Sequence, residues 1–260
     1  MNLIVYANLA NKILKNSIEY SENKRIISNL FKQDEELKLE IETVKLRLIL
    51  IDSMYSTNMD KRLFGIKELA DEILELSKNS DSILIDKINK FMQNPLEDKE
   101  IAYIFSKKFG MSKKGIENIS APSLISKYFY FLLDYQFPIY DSLVKQNLPI
   151  INKKIKTLDK LSLSNNLLKY FDMVIRFNKK SNINDFNKLD NMCWLFGKIN
   201  KGSLYLVINR EDYTKLIQNI DLTHQNSSDI DNEIKNYISN KMPKDIFSKD
   251  EEKFITWVYS

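Results

Sequence analysis

The sequence predicts an all-α protein. Apolar residues recur at steps of three and four along most of the chain, the spacing of one helix face. Only five Gly and five Pro occur in 260 residues, too few for the dense turns of a β-sandwich or barrel. Hydrophobic residues make up 43% and charged residues 28%, a globular rather than a disordered balance. The apolar stripes are wide, which suits helices packed in a globule better than a coiled-coil seam.

In chain order, Leu37, Ile41, Val44, Leu48, Ile51 and Tyr55 mark a helix over 37–55. IKELADEILEL (66–76) repeats the stripe with Ile66, Leu69, Ile73 and Leu76. In DSILIDKINKFM (81–92) the stripe is Ile85, Ile88 and Met92, with Asp81 as N-cap. LEDKEIAYIFSKKFG is expected to stop at Gly110. SLISKYFYFLLD (123–134) is apolar on the face of Ile125, Tyr128, Phe129 and Leu132. Beyond Pro138, helices are expected in DSLVKQN, SNNLLKYFDMVIRF, DFNKLDNMCWLFGKI, REDYTKLIQNI and DIDNEIKNYISNKM. SLYLVI (203–208) fits either a short strand or a buried link, and THQNSSD (223–229) reads as a polar boundary loop.

Composition narrows the chemistry. Cys193 is the only cysteine and His224 the only histidine, which argues against structural zinc, iron–sulfur clusters and an intrachain disulfide. Cys193 lies in an apolar run and reads as a small buried hydrophobe; His224 reads as exposed. The start of the chain lacks the pattern of a signal peptide and no apolar run is long enough to span a membrane, so a cytoplasmic protein without cofactor, metal or membrane partner is expected. Charge is uneven. Residues 105–215 hold 19 Lys+Arg against 9 Asp+Glu, a net of +10, which leaves −6 elsewhere. Such a segment suits a polyanion, or is a lysine-rich solvated surface.

Two short segments carry the functional reading. SMYSTN (53–58) ends an apolar helix, and FPIYDSLVKQ (137–146) places Asp141 where the next helix starts, 86 residues after Tyr55. Taken alone, a Pro-x-x-Asp turn is an ordinary N-cap. Together the two segments resemble the helix–hairpin–helix superfamily of DNA glycosylases, which includes endonuclease III and the 8-oxoguanine glycosylases. They resemble most a bacterial branch with "YSTN", "FPIYDS" and "LDxxxWxxGK" elements, the last being LDNMCWLFGK (189–198) here. The likeness covers about residues 40–200.

The resemblance implies two helical subdomains with a central cleft, one over 46–140 and a terminal one from 1–45 plus 141–260, with Asp141 as the catalytic carboxylate between them. A fixed carboxylate can stabilise an oxocarbenium-like sugar and orient water when an N-glycosidic bond breaks. Tyr55 stands where relatives place a wedge residue, with Asn58 beside it. Tyr140 and Trp194 are expected at the pocket for a flipped base. The family's hairpin falls on ENISAPSLISK, which has no glycine. Ser120 lies in it, and Lys113, Lys114 and Lys145 are the expected phosphate contacts. The lyase lysine of bifunctional relatives falls at Ser123, and Lys127 lies one helical turn further on. The expected function is therefore monofunctional base excision on double-stranded DNA, in repair or antiphage defence. The alternatives are a DNA-binding module without catalysis and a helical protein-interaction scaffold.

Overall fold

A computed structural model of the chain describes residues 2–16, 18–32, 38–117, 120–159, 161, 166–220, 230–243 and 245–260. The first seven helices are α1 (Leu3–Asn16), α2 (Ile18–Phe31), α3 (Ile41–Tyr55), α4 (Gly65–Ser77), α5 (Asp81–Gln93), α6 (Glu100–Ser106) and α7 (Pro122–Leu132). The others are α8 (Ser142–Ile155), α9 (Leu167–Lys180), α10 (Phe186–Asn200), α11 (Arg210–Ile220), α12 (Ile230–Asn240) and α13 (Lys249–Tyr259). Among the described residues there is no strand, only isolated β-bridges, so the protein is all-α. The boundary loop 223–229, and His224 with it, lies outside the described residues. The chain divides into two compact units. One holds residues 1–22, 142–157 and 181–260, the other 23–141 and 158–180.

In the second unit, α7 is buried from Leu124 to Leu132. A helix apolar on every side has to be enclosed by its neighbours, and α3, α5 and α6 pack against it. Phe91, Phe105, Phe129, Phe137 and Phe171 form one aromatic cluster beside it, with ring centroids 4.8–6.4 Å apart in tilted, stacked and edge-on pairs. This cluster sets which face of α5 turns inward. Leu84, Ile88 and Phe91 are buried, rather than the predicted stripe of Ile85, Ile88 and Met92.

Arg47 is the polar fastener of this unit. Its guanidinium is 1% exposed and stacks on Phe31 at 4.4 Å. It donates to Leu30 O (3.1 Å), Asp81 Oδ1 (3.0 Å) and the Tyr128 hydroxyl (3.2 Å). Burial disfavours the Arg47 charge, but Tyr128 and Asp81 more than offset that and raise its pKa. Burial also raises the Tyr128 phenol above the ordinary tyrosine value. Asp81 is therefore no N-cap. Ser80 occupies that position, and Asp81 spends its carboxylate on Arg47.

Two further local expectations change. α6 ends at Ser106, and Gly110 lies four residues past it. Gly110 serves a different purpose, since its φ is +75° and an added Cβ would come within 2.9 Å of the Arg62 side chain, the Gly65 backbone and Leu63 O. SLYLVI contains a short 3-10 turn at Leu204–Leu206 and no strand.

The first unit is built on α10, which packs on α1, α8 and α13. Gly197 permits the close approach of α8, because a Cβ there would overlap Asn147 Nδ2. Asn191 donates to Asn11 Oδ1 at 2.9 Å, tying α10 to α1. Tyr6 stacks on Trp257 at 4.2 Å, and Phe196 meets the same indole edge-on at 5.3 Å. Asp185 caps α10 by accepting from Lys188 N at 3.0 Å, and Ser248 and Glu251 form a capping box on α13. Cys193 is fully buried in α10, as its apolar neighbours predict.

Candidate functional site

The Pro-Ile-Tyr-Asp turn is clamped to its own unit through both backbone and side chains. Phe137, Pro138 and Ile139 are buried. Tyr170 of α9 donates its hydroxyl to Ile139 O at 2.6 Å. Tyr140 N donates to Ser126 Oγ at 2.9 Å, and Ser126 donates back to Ser123 O at 3.1 Å. These bonds leave Asp141, the residue immediately before α8, with little freedom to wander.

Asp141 then meets α7. Lys127 is 2% exposed, and its Nζ lies 3.5 Å from Asp141 Oδ2. The same ammonium donates to Ser123 Oγ at 2.7 Å and sits 5.6 Å from the Tyr55 ring centroid. Ser123 and Lys127 are one turn apart on α7, so both side chains leave the same face. Four residues singled out from the sequence thus converge: Asp141, Ser123, Lys127 and Tyr55. Lys127 is shut away from water, whereas the Asp141 side chain keeps 28% of its surface. An incoming group reaches the carboxylate and not the amine.

The SMYSTN turn is held by a residue that sequence reasoning passed over. Asp52 is 5% exposed, and its carboxylate accepts from Met59 N (2.9 Å), Asp60 N (2.8 Å) and the Thr57 hydroxyl. That bonding supports left-handed backbone at Ser56 (φ 49°) and Asn58 (φ 61°). Asn58 is exposed; it donates to Ser56 O at 3.2 Å and accepts from Lys61 Nζ at 2.6 Å. Tyr55 meets Phe131 edge-on at 5.9 Å, so one side of its ring is packed.

Tyr140 lines a cleft of about 820 Å³ within the same unit, together with Phe105, Tyr103, Ser120, Asp98 and Asn166. Tyr170 supports the Tyr140 ring edge-on at 4.9 Å. The cleft joins an aromatic wall to a few polar groups, the usual make-up of a site for a flat polar ligand. Ser120 pairs with Lys108 in an antiparallel bridge, and Lys113 and Lys114 lie exposed at a tight turn. Lys145 and Trp194 belong to the other unit, on α8 and α10, where Lys198 Nζ lies 5.4 Å from the Trp194 ring. The glycine of LDNMCWLFGK is accounted for by the α8–α10 crossing alone.

Among the described residues, no group of three or more His, Cys, Asp or Glu is placed to hold a metal ion, and no helix is long and apolar enough to cross a membrane. Comparison of the chain with protein families, curated proteins and solved structures gives no match.

Proposed function

We propose that the chain is a monofunctional DNA N-glycosylase of the helix–hairpin–helix type, with Asp141 as its catalytic carboxylate. One observation carries the reading: the Asp141 carboxylate, anchored by buried Lys127 at 3.5 Å, directly follows Tyr140, which lines the cleft. The order of parts agrees with it, since an Asp52-pinned turn after α3 is followed by helices α4 to α6, a bridged loop, helix α7 and the Pro-Ile-Tyr-Asp turn. In this reading the flipped base enters the cleft against Tyr140. The C1′–N bond breaks, the base departs with the electron pair, and water adds to C1′. Asp141 offsets the positive charge on the sugar, orients the water and takes its proton, which passes on to the departed base and restores the carboxylate. Lys127 and Ser123 position Asp141. Lys127 is too enclosed to act as a nucleophile, which favours hydrolysis over lyase chemistry. A cytoplasmic role in repair or antiphage defence follows from the same reading.

The test measures base release from duplexes carrying damaged or modified bases. Asp141→Asn is expected to lower the single-turnover rate by about 10²-fold or more while DNA affinity is kept. Lys127→Met is expected to lower the rate too, without leaving a cleaved strand in either protein. Equal rates for Asp141→Asn and wild type would sink the catalytic assignment. Salt-dependent DNA binding without base release identifies a binding module instead, and no DNA binding at low salt identifies a scaffold. In cells, loss of phage protection with Asp141→Asn would support the defence role, and full protection would refute it.

A further inference from the structure

A second feature of the same unit lies in the loop that leads into α4. Phe64 has φ 65° and ψ −7°, a left-handed conformation that costs a bulky aromatic residue about 1–2 kcal/mol. Its side chain is 62% exposed, so no core packing offsets the strain. As the N-cap of α4 its carbonyl accepts from Glu68 N at 3.0 Å, a bond any residue could supply, and strained backbone that presents a large side chain to solvent clusters at functional positions. The position is also held firmly. Leu63 and Met111 exchange both backbone hydrogen bonds, at 2.9 and 3.0 Å, and Met111 bridges on to Glu117. Gly65 and Gly110 pack beneath this ladder, where a Cβ on Gly110 would meet backbone at 2.9 Å and one on Gly65 would displace the Met59 side chain.

The ladder ends in a tight turn. Ser112 N donates to Ile116 O at 2.9 Å, Gly115 N donates to Ser112 O at 2.9 Å, and the Ser112 hydroxyl accepts from Ile116 N at 3.3 Å. Gly115 has φ +75° with open space around it, and Ile116 is 65% exposed. Lys61, Arg62, Lys113 and Lys114 in these two loops outnumber Asp60 and Glu117, and Glu117 is paired with Lys108 at 3.5 Å.

We infer that this two-loop tip is a nucleic-acid contact in which Phe64 stacks on an unstacked base while Lys113 and Lys114 hold the backbone. A rigid, planar, exposed ring among cations fits a base beside its phosphates. A membrane surface would instead call for a broad apolar face, and among the described residues here the exposed large apolar side chains are Leu63, Phe64 and Ile116. The inference rests on the nucleic-acid partner of the proposed function and is independent of its chemistry at Asp141.

The experiment measures anisotropy of a fluorescein-labelled oligodeoxynucleotide, either single-stranded or a duplex with one unpaired base. Phe64→Gly is expected to weaken binding by about 10-fold, the scale of one base–aromatic stack, and Phe64→Trp to retain it. Because glycine relieves the left-handed strain, Phe64→Gly is also expected to melt at the wild-type temperature or above it. Lys113→Gln with Lys114→Gln is expected to flatten the salt dependence by a slope of about 1.4 to 1.8. Phe64→Gly should leave that slope unchanged. Wild-type affinity in Phe64→Gly overturns the inference, even if the protein releases bases. Loss in Phe64→Gly of binding to phosphatidylserine vesicles, with DNA binding intact, overturns it in favour of a lipid surface. Failure of base release in a protein whose DNA binding still depends on Phe64 defeats the glycosylase reading alone.

Discussion

Replacing Arg47 with Met removes a buried charge whose partners cannot all recover. Methionine keeps most of the aliphatic volume, so the cavity term is small. Leu30 O and the Tyr128 hydroxyl each lose a donor inside the unit, at about 1–2 kcal/mol apiece. Asp81 keeps 28% of its side-chain surface and regains water, so its loss is nearer 1 kcal/mol than the full cost of a buried orphan charge. The stacking on Phe31 adds about 1 kcal/mol. Together these lower stability by about 5 kcal/mol, or roughly 10–20 °C in melting temperature. Arg47 joins α3 to α5 and α7, and those helices carry Tyr55, Ser123 and Lys127, so amide exchange should rise on all three helices. The assay is urea denaturation of both proteins, with exchange followed in parallel. A loss below about 1 kcal/mol would refute the claim that this network fastens the unit, and would place the stability in the aromatic cluster.

Other expectations follow from single residues. Gly110→Ala is expected to cost about 2–4 kcal/mol in denaturation, because its Cβ meets backbone as well as a left-handed φ. Gly115→Ala shares the φ but has open space, and should cost only about 1 kcal/mol. Asp52→Ala strands two backbone N–H groups and is expected to cost about 2–4 kcal/mol, with faster amide exchange at Met59 and Asp60. The Tyr259 hydroxyl donates to Ile199 O at 2.8 Å, and burial pushes its pKa from 10.0 up to about 12. A raised pKa contributes stability that is complete below the unfolded value and is lost as pH rises through the folded one. Wild-type stability, measured against Tyr259→Phe, should therefore fall between pH 10 and 12, by up to about 2 kcal/mol after allowing for partial exposure. A flat difference over that range would show that the phenol is not desolvated.

The sequence by itself determined the helical class and most helix positions, because three- and four-residue spacing is a property of the chain. The likeness of SMYSTN and FPIYDSLVKQ to a known family also singled out Asp141, Ser123, Lys127 and Tyr55 as candidates. Rotational details were beyond it. Which face of α5 turns inward depends on an aromatic cluster drawn from α5, α6, α7, α9 and the loop at Phe137, and no local pattern contains that. Asp81 looks like an N-cap in sequence, yet Arg47, 34 residues earlier, claims its carboxylate. Gly110 looks like a helix stop, yet its conformation answers to Arg62, Leu63 and Gly65. Asp52 and Ser126 carry no motif, since their value is in backbone groups of later turns, at Met59, Asp60 and Tyr140, that only the folded chain brings to them. The same holds for the candidate site. Lys127 on α7, the turn before α8 and the end of α3 are separated in the chain, and only tertiary packing sets a buried ammonium 3.5 Å from the Asp141 carboxylate.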